Sequence, residues 1–149
     1  MSLTDLLAER KLRPHRSSAR EIKELLAVVD RDLADAALAQ LSADRRFAIA
    51  YNAALTLATI VLHASGYRAV GLGAHWSTIQ ALPEIMGSPA QARADYLDAC
   101  RTRRNLADYS RAGVTSDAEA AELLEEAKAF RADAVAWLGA HHPSLLPAP

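Results

Sequence analysis

The sequence predicts an all-α protein, folded as an antiparallel up-and-down bundle of four long helices with additional short helices. Hydrophobic residues make up 51% of the 149 residues and aromatic residues only 5%. Alanine and leucine dominate the apolar set, which is typical of packed helices. These apolar residues recur at spacings of three and four, as on one face of a helix. We find no segment with the alternation of apolar and polar residues that indicates a half-buried strand.

The chain is long enough for one domain with a core of its own, and we expect it to have three parts. Residues 1–17 form an N-terminal arm with a short helix from Thr4 to about Arg10. Residues 18–140 form the helical bundle. Residues 141–149 form a tail rich in proline, which we expect to be flexible.

The first two long helices have recognisable ends. Ser18 begins one of them, because its spacing to Glu21 is that of a capping box. The next begins near Ser42 and stops at Gly66, because glycine readily adopts the left-handed conformation that ends a helix. The glycines between Tyr67 and Ala74 are not spaced as in a dinucleotide-binding loop, so we interpret them as loop geometry.

One short helix and two further long helices complete the prediction. The short helix runs from about His75 to Met86, and Pro83 within it could end or kink it early. Ser88-Pro89 is an N-cap followed by proline at the first helical position, and it begins a long helix that reaches about Tyr109. Ser116 begins the last helix as the first residue of a second capping box.

Charge and cysteine content exclude several classes of protein. The net charge is -1, so no overall field favours nucleic acid or an acidic membrane, and any anion site has to be local. The single cysteine, Cys100, excludes an internal disulfide framework and suits a reducing compartment. His141 and His142 are adjacent but lack a carboxylate or cysteine at ligand spacing, so we expect no metal site.

The pattern of apolar residues predicts a cytoplasmic protein that does not enter the membrane. The start of the chain lacks the basic and then apolar sequence of a secretory signal. The longest apolar stretch, Phe47 to Leu62, is shorter than the ~20 residues that a membrane-spanning helix needs. We therefore expect this stretch to be the buried central helix of the bundle.

Three arginines lie close together near the end of the third long helix: Arg101, Arg103 and Arg104. In a helical projection, Arg104 falls on the same apolar stripe as Leu97 and Cys100. Such an arginine needs a partner, because an unpaired buried charge costs several kcal/mol, roughly. Two interpretations remain open. Either Asp108 or an acidic residue of a neighbouring helix pairs with Arg104, or Arg104 faces an anion in a cleft.

Several short motifs follow one another along the helices. The second long helix contains Tyr51-Asn52-Ala53-Ala54 and ends at Gly66, and His75 opens the short helix. Arg104-Asn105-Leu106-Ala107-Asp108-Tyr109 closes the next long helix. This ordered combination, over most of the chain between residues 18 and 138, resembles the HEPN superfamily of helical domains. The resemblance implies a helical bundle that pairs as a homodimer, with a cleft where the two fourth helices face each other.

The resemblance also implies a function. Many HEPN domains are ribonucleases, often toxins that accompany a nucleotidyltransferase-type antitoxin, and they need no cofactor. Their signature is an arginine followed, after four to six residues, by a histidine; the arginine holds the phosphate and the histidine acts as general base or acid. After Arg104 the corresponding positions hold Tyr109, Ser110 and Arg111, so the histidine is missing. A phenol with a pKa near 10, roughly, is a poor base at neutral pH.

These observations predict a non-catalytic, HEPN-like dimer that binds a partner protein or a nucleotide- or RNA-type anion. The anion-binding candidates are Arg101, Arg103, Arg104 and Asn105. The alternative is a metal-independent ribonuclease in which Arg104 acts with Tyr109, with Asp108 or with a histidine from elsewhere. His75 is the secondary candidate, because it could meet the arginines from across the bundle.

Overall fold

The computed structural model describes residues 1–109 and 115–146, without the side chains of residues 106–109. This part of the chain is mostly helical and contains one small two-stranded sheet, which confirms the all-α class. The elements in chain order are α1 (Leu3–Ala8), β1 (Leu12–Pro14), α2 (Ala19–Ala36), α3 (Ala43–Ala64), β2 (Tyr67–Ala69), α4 (Ala74–Met86), α5 (Gln91–Tyr109) and α6 (Asp117–His141). Short 3₁₀ helices occupy Ser88–Ala90 and Pro143–Leu145.

Serine hydroxyls begin three of the long helices, as the sequence predicts. Ser18, Ser42 and Ser116 each accept a hydrogen bond from the backbone N–H three residues further on, at 3.1, 3.2 and 3.1 Å. The capping box at Ser116 is complete, because the carboxylate of Glu119 accepts the Ser116 backbone N–H. The capping box predicted at Ser18 is wrong in its second half, since the Glu21 carboxylate lies against two histidines instead.

The central helix of the core is α3, because α2, α4, α5 and α6 all pack against it. Its side chains at Tyr51, Leu57 and Ile60 are among the most buried of the protein. By length and composition alone α3 could cross a membrane, but 61% of its most apolar window is buried inside the protein. Such burial is typical of the core helix of a soluble protein, and it agrees with the interior position expected for Phe47 to Leu62.

The strands β1 and β2 correct the prediction that the chain has no strand. They pair antiparallel, with Leu12 opposite Ala69 and Pro14 opposite Tyr67. Each strand has only 3 residues, too few for an alternating pattern to be recognised. Residues 67–69, interpreted from the sequence as loop, therefore form β2. The pairing fixes the N-terminal arm against the segment after α3, where Leu12 is buried in one cluster with Leu6.

Glycine flanks α4 at both ends. Gly73, with φ +75°, precedes the helix and supplies no side chain to cap its first turn, and Gly87, with φ +93°, follows it. Pro83 lies within α4 and does not end it early. Ser88-Pro89 begins a 3₁₀ turn that leads into α5, so the predicted start signal falls one turn before the α-helix itself.

Beyond α6 the chain continues to pack against the core. The helix ends at His141, and Leu145 and Leu146 both contact the main hydrophobic cluster. These residues belong to the segment from residue 141 onward that its proline content predicts to be flexible. Residues 147–149 of that segment, and the turn predicted at residues 110–113, lie outside the described part of the chain.

Candidate functional site

A cavity of about 350 Å³ lies between the start of α4 and the second half of α5. Its lining includes three residues that the sequence singles out as candidates: His75, Arg101 and Asn105. The loop before α4 supplies much of the remaining wall, through Gly71, Leu72 and Gly73. The structure therefore brings together candidates that lie in two separate segments of the sequence.

The loop before α4 leaves the first turn of that helix without a side-chain cap. Gly71 and Gly73 both have φ +75°, a conformation that glycine adopts readily and most other residues do not. The backbone N–H of Ser77 donates to the Gly73 carbonyl at 2.9 Å and begins the helical hydrogen bonds. The preceding N–H groups have no partner within a helix, and together with the helix dipole they favour an anion. The wall of the cavity formed by α4 is thus a source of hydrogen-bond donors.

Two arginines of α5 add positive charge to this region. The Arg101 guanidinium lies on the cavity wall and forms an ion pair with Asp98, with Nε 2.9 Å from Oδ1. The guanidinium carbon of Arg104 lies 5.9 Å from the centre of the Tyr51 ring. Arg104 is half-buried, on the stripe predicted for it beside Cys100, which is buried.

Tyr51 carries a buried hydroxyl next to these arginines. The residue is 2% exposed, and its hydroxyl forms no hydrogen bond with any residue that the structure describes. Burial raises the pKa of Tyr51 to about 12, against the opposing effect of Arg101 and Arg104. The phenol is therefore neutral at physiological pH and keeps its proton available for donation. The sequence motifs assign this residue no role beyond its place among them, although a tyrosine among the alanines and leucines of a buried helix needs a partner for its hydroxyl.

His75 meets the arginines from α4, as the sequence suggested it could. Its ring centre lies 6.4 Å from that of Tyr51. Burial lowers the pKa of His75, and the charges of Arg104 and Arg101 lower it further. The imidazole is therefore neutral at neutral pH, with one N–H that donates and one nitrogen that can accept a proton.

Arg103 lies apart from the other anion-binding candidates. Its guanidinium forms an ion pair with Glu119 of α6, with Nη2 2.6 Å from Oε2. It lines a different cavity, of about 210 Å³, together with Phe47, Tyr96 and Cys100. The physical reason is the helical period, because a residue two positions from Arg101 points about 200° around the helix from it. The predicted group of three arginines is thus divided between two faces of α5.

The predicted roles of Asp108 and Tyr109 concern side chains outside the described part of the structure. The backbone of α5 extends through Tyr109, but neither the catalytic role of these two residues nor the pairing of Asp108 with Arg104 is tested. Both remain predictions.

A group of possible metal ligands lies elsewhere in the described residues, where the sequence led us to expect none. His15, Glu21 and His63 place their ligand atoms within 4.8 Å of one another. Burial lowers the pKa of His63, although the hydrogen bond to Glu21 opposes that shift. The sequence analysis missed this group because its members come from three separate segments of the chain. By contrast, His141 and His142 lie against the ring of Trp137, with ring centres 5.8 and 5.0 Å away.

Comparison of the chain with family models, curated proteins and solved structures gives no match. The functional interpretation therefore rests on the geometry of the site and on the motifs of the sequence.

Proposed function

We propose that this protein is a non-catalytic, HEPN-like helical bundle that binds a phosphate group of a nucleotide or RNA in the cavity between α4 and α5. The observation that carries the proposal is the convergence of hydrogen-bond donors on one small cavity. Arg101, Asn105 and His75 line it, and the uncapped first turn of α4 forms one wall. Arg104 and Tyr51 lie next to this lining without belonging to it, and the Tyr51 hydroxyl has no hydrogen-bond partner among the described residues.

The chemistry of these groups suits a phosphate. Guanidinium groups bind phosphate oxygens with charge-assisted, often bidentate hydrogen bonds, and the start of a helix supplies backbone N–H groups. The protein as a whole has a net charge of -1, so attraction of a polyanion depends on this local cluster. The pairing of Arg101 with Asp98 lowers the local charge, which favours a single phosphate group over a long polyanion.

The expected loss on removing one arginine follows from the strength of such bonds. A hydrogen bond that involves a charged group contributes about 1.5–3 kcal/mol, and 1.4 kcal/mol corresponds to about a tenfold change in Kd. Arg101→Ala, which removes a guanidinium from the cavity lining, is therefore expected to weaken nucleotide binding roughly 10- to 100-fold. Arg104 does not line the cavity, so Arg104→Ala is expected to cause a smaller loss.

The test is fluorescence anisotropy with a labelled mononucleotide and with a short labelled RNA. Arg20→Ala on α2 is the matched control, because Arg20 has an 87% exposed side chain that pairs with Glu24 on the same helix. We expect wild-type affinity from the control and the stated loss from both α5 variants. Equal affinity for all four proteins would contradict the proposed site.

The family resemblance further supports a homodimer in the cytoplasm, with a nucleotidyltransferase-type protein as the partner. The buried, single cysteine is compatible with a reducing compartment. Light scattering of the purified chain tests the dimer, and a monomer at micromolar concentration would contradict it.

A second candidate function, metal-independent RNA cleavage, is favoured by the position of His75. A neutral imidazole beside two arginines has the protonation state that a general base requires. In this reaction the 2′-hydroxyl gives its proton to His75 as its oxygen attacks the adjacent phosphorus. The bond from phosphorus to the 5′-oxygen then breaks, and water protonates the leaving oxygen while Arg104 stabilises the phosphate.

Cleavage of a mixed RNA substrate in the presence of a chelator tests this second function. We expect activity of the wild type to be lost in folded His75→Gln and Arg104→Ala proteins. Absence of cleavage by the folded wild type leaves the site as a binding site only.

A further inference from the structure

Three side chains from separate segments meet where the N-terminal arm joins the helical core. His15 follows β1, Glu21 lies in the first turn of α2, and His63 lies in the last turn of α3. His15 Nε2 is 2.9 Å from Glu21 Oε1 and 3.0 Å from Oε2. His63 Nδ1 is 3.0 Å from the same Oε1. Two imidazole nitrogens and one carboxylate therefore converge on one point.

We propose that His15, Glu21 and His63 form a binding site for one divalent transition-metal ion, with zinc as the best fit. Imidazole and carboxylate ligands suit zinc and its neighbours in the first transition row. Calcium and magnesium require more oxygen ligands than the single carboxylate here provides.

The three ligand atoms lie within 4.8 Å of one another and have to move to reach the geometry of a tetrahedral ion. Zinc bonds of about 2.0–2.2 Å place neighbouring ligand atoms about 3.3 Å apart around a tetrahedron. The nitrogen-to-oxygen separations of 2.9 and 3.0 Å would have to open by about 0.3–0.4 Å to reach that value. The ring centres of the two histidines are 4.3 Å apart, so both rings already border the same small space. Binding also requires the two imidazole nitrogens to lie about 3.3 Å apart.

Backbone contacts hold both histidines in place before any metal binds. The His15 N–H donates to the carbonyl of Gly66 at 2.8 Å. The Ser17 hydroxyl donates to the His63 carbonyl at 2.7 Å. Gly66 has φ +97°, which lets the chain turn sharply after α3 and run beside His15. Preorganised ligands lose little conformational entropy on binding, which favours affinity.

Three protein ligands leave a fourth position of a tetrahedral zinc ion open. The side chains of His15, Glu21 and His63 are 23%, 29% and 18% exposed, so solvent reaches the group from one side. A water molecule would complete the coordination, as in sites with two histidines and one glutamate. A bound ion would also fasten the N-terminal arm to the ends of α2 and α3.

The experiment is zinc titration of the untagged, full-length protein by isothermal calorimetry after treatment with a chelator. Wild type is expected to bind one zinc ion per chain with micromolar or tighter affinity. Loss of an outer-shell partner alone costs about 10- to 100-fold in metal affinity, so His63→Ala is expected to cost at least about 100-fold. Glu21→Gln keeps the side chain's size and leaves the Ser18 cap intact, because that cap uses the backbone N–H of Glu21.

The matched control is the double variant His141→Ala, His142→Ala, which removes the other pair of neighbouring histidines. We expect it to bind zinc within twofold of wild type. When Co²⁺ is added in place of Zn²⁺, we expect wild type to show the visible absorption band of a four-coordinate Co²⁺ ion. We expect this band to be absent from Glu21→Gln. The proposal is overturned if wild type binds no zinc at micromolar concentration, if Glu21→Gln binds zinc as tightly as wild type, or if binding is lost in the control. Circular dichroism checks that each variant is folded. If His63→Ala does not fold, the zinc affinity of Glu21→Gln alone tests the proposal.

Discussion

Replacing Tyr51 by phenylalanine removes one buried oxygen atom and leaves the ring in place. The hydroxyl has no hydrogen-bond partner among the described residues and the side chain is 2% exposed. A buried polar group without a partner costs about 1–3 kcal/mol, and phenylalanine opens no cavity because its ring has the same shape. Tyr51→Phe is therefore expected to raise the free energy of unfolding by about 1 kcal/mol. For a chain of this length the corresponding rise in Tm is roughly 2–4 °C.

The same substitution is expected to weaken nucleotide binding. A neutral hydrogen bond contributes about 0.5–1.5 kcal/mol, so loss of the hydroxyl should raise the Kd roughly three- to tenfold. A gain in stability together with a loss of affinity distinguishes a functional hydroxyl from a structural one, because a structural hydroxyl would lose stability when removed.

Urea denaturation and fluorescence anisotropy on the same preparations measure both quantities. The matched control is Tyr96→Phe, since the Tyr96 hydroxyl interacts with Glu122 and Cys100 and lines other cavities. We expect neither a gain in stability nor a change in nucleotide affinity from the control. A decrease of more than about 1 kcal/mol in the free energy of unfolding of Tyr51→Phe would refute the reasoning, because it would mean that the hydroxyl has a hydrogen-bond partner in the free protein.

Three other substitutions test charges in the core and at the cavity. Arg93 has a 16% exposed side chain that pairs with two carboxylates of α6 at 2.7 and 2.9 Å. Arg93→Ala should lower the free energy of unfolding by about 2–3 kcal/mol in urea titrations, less than the 3–5 kcal/mol of a fully buried pair because one carboxylate is largely exposed. Asp32 is 5% exposed and accepts a hydrogen bond from the Asn52 amide at 2.6 Å. Asn52→Ala should cost about 1–3 kcal/mol in thermal unfolding, and a variant as stable as wild type would show that the amide is dispensable. The pKa of His75 lies below its usual value in the free protein, and a bound anion favours the protonated ring. Nucleotide affinity should therefore rise as the pH falls from about 7 to 5 in wild type but not in His75→Gln, and an equal rise in both would place His75 outside the site.

Local signals predicted most of the helices. The hydroxyls of Ser18, Ser42 and Ser116 cap the three helices whose starts the sequence predicts at or near these residues, because capping depends only on neighbouring residues. The strands β1 and β2 escaped prediction because each consists of only 3 residues. Their pairing joins segments that are far apart in the chain, and the residue pattern within either segment does not predict such a contact.

The positions of the candidate site residues could be predicted only where they depend on one helix, and not where they depend on contacts between distant segments. The helical period alone is enough to place Arg101, Arg104 and Asn105 on one side of α5 and Arg103 on another, so Arg103 does not belong to the predicted anion-binding group. The nearness of His75 to these arginines depends on how α4 packs against α5, which the sequence suggested only as one option. The group of His15, Glu21 and His63 depends on three segments and had no local signal at all.

Two energetically unfavourable features of the free protein lie beside the same cavity. Burial lowers the pKa of His75, and the positive charges of Arg104 and Arg101 lower it further and oppose its protonation. The hydroxyl of Tyr51 is buried without a partner that the structure describes. The charge of a bound phosphate would favour the protonated imidazole of His75, whereas the buried Tyr51 side chain is not part of the cavity lining. If only stability mattered, an apolar side chain would be expected at the buried position of Tyr51, as at the other buried positions of α3. Positive charge and hydrogen-bond donors at one cavity are the basis of our proposal that its ligand is an anion.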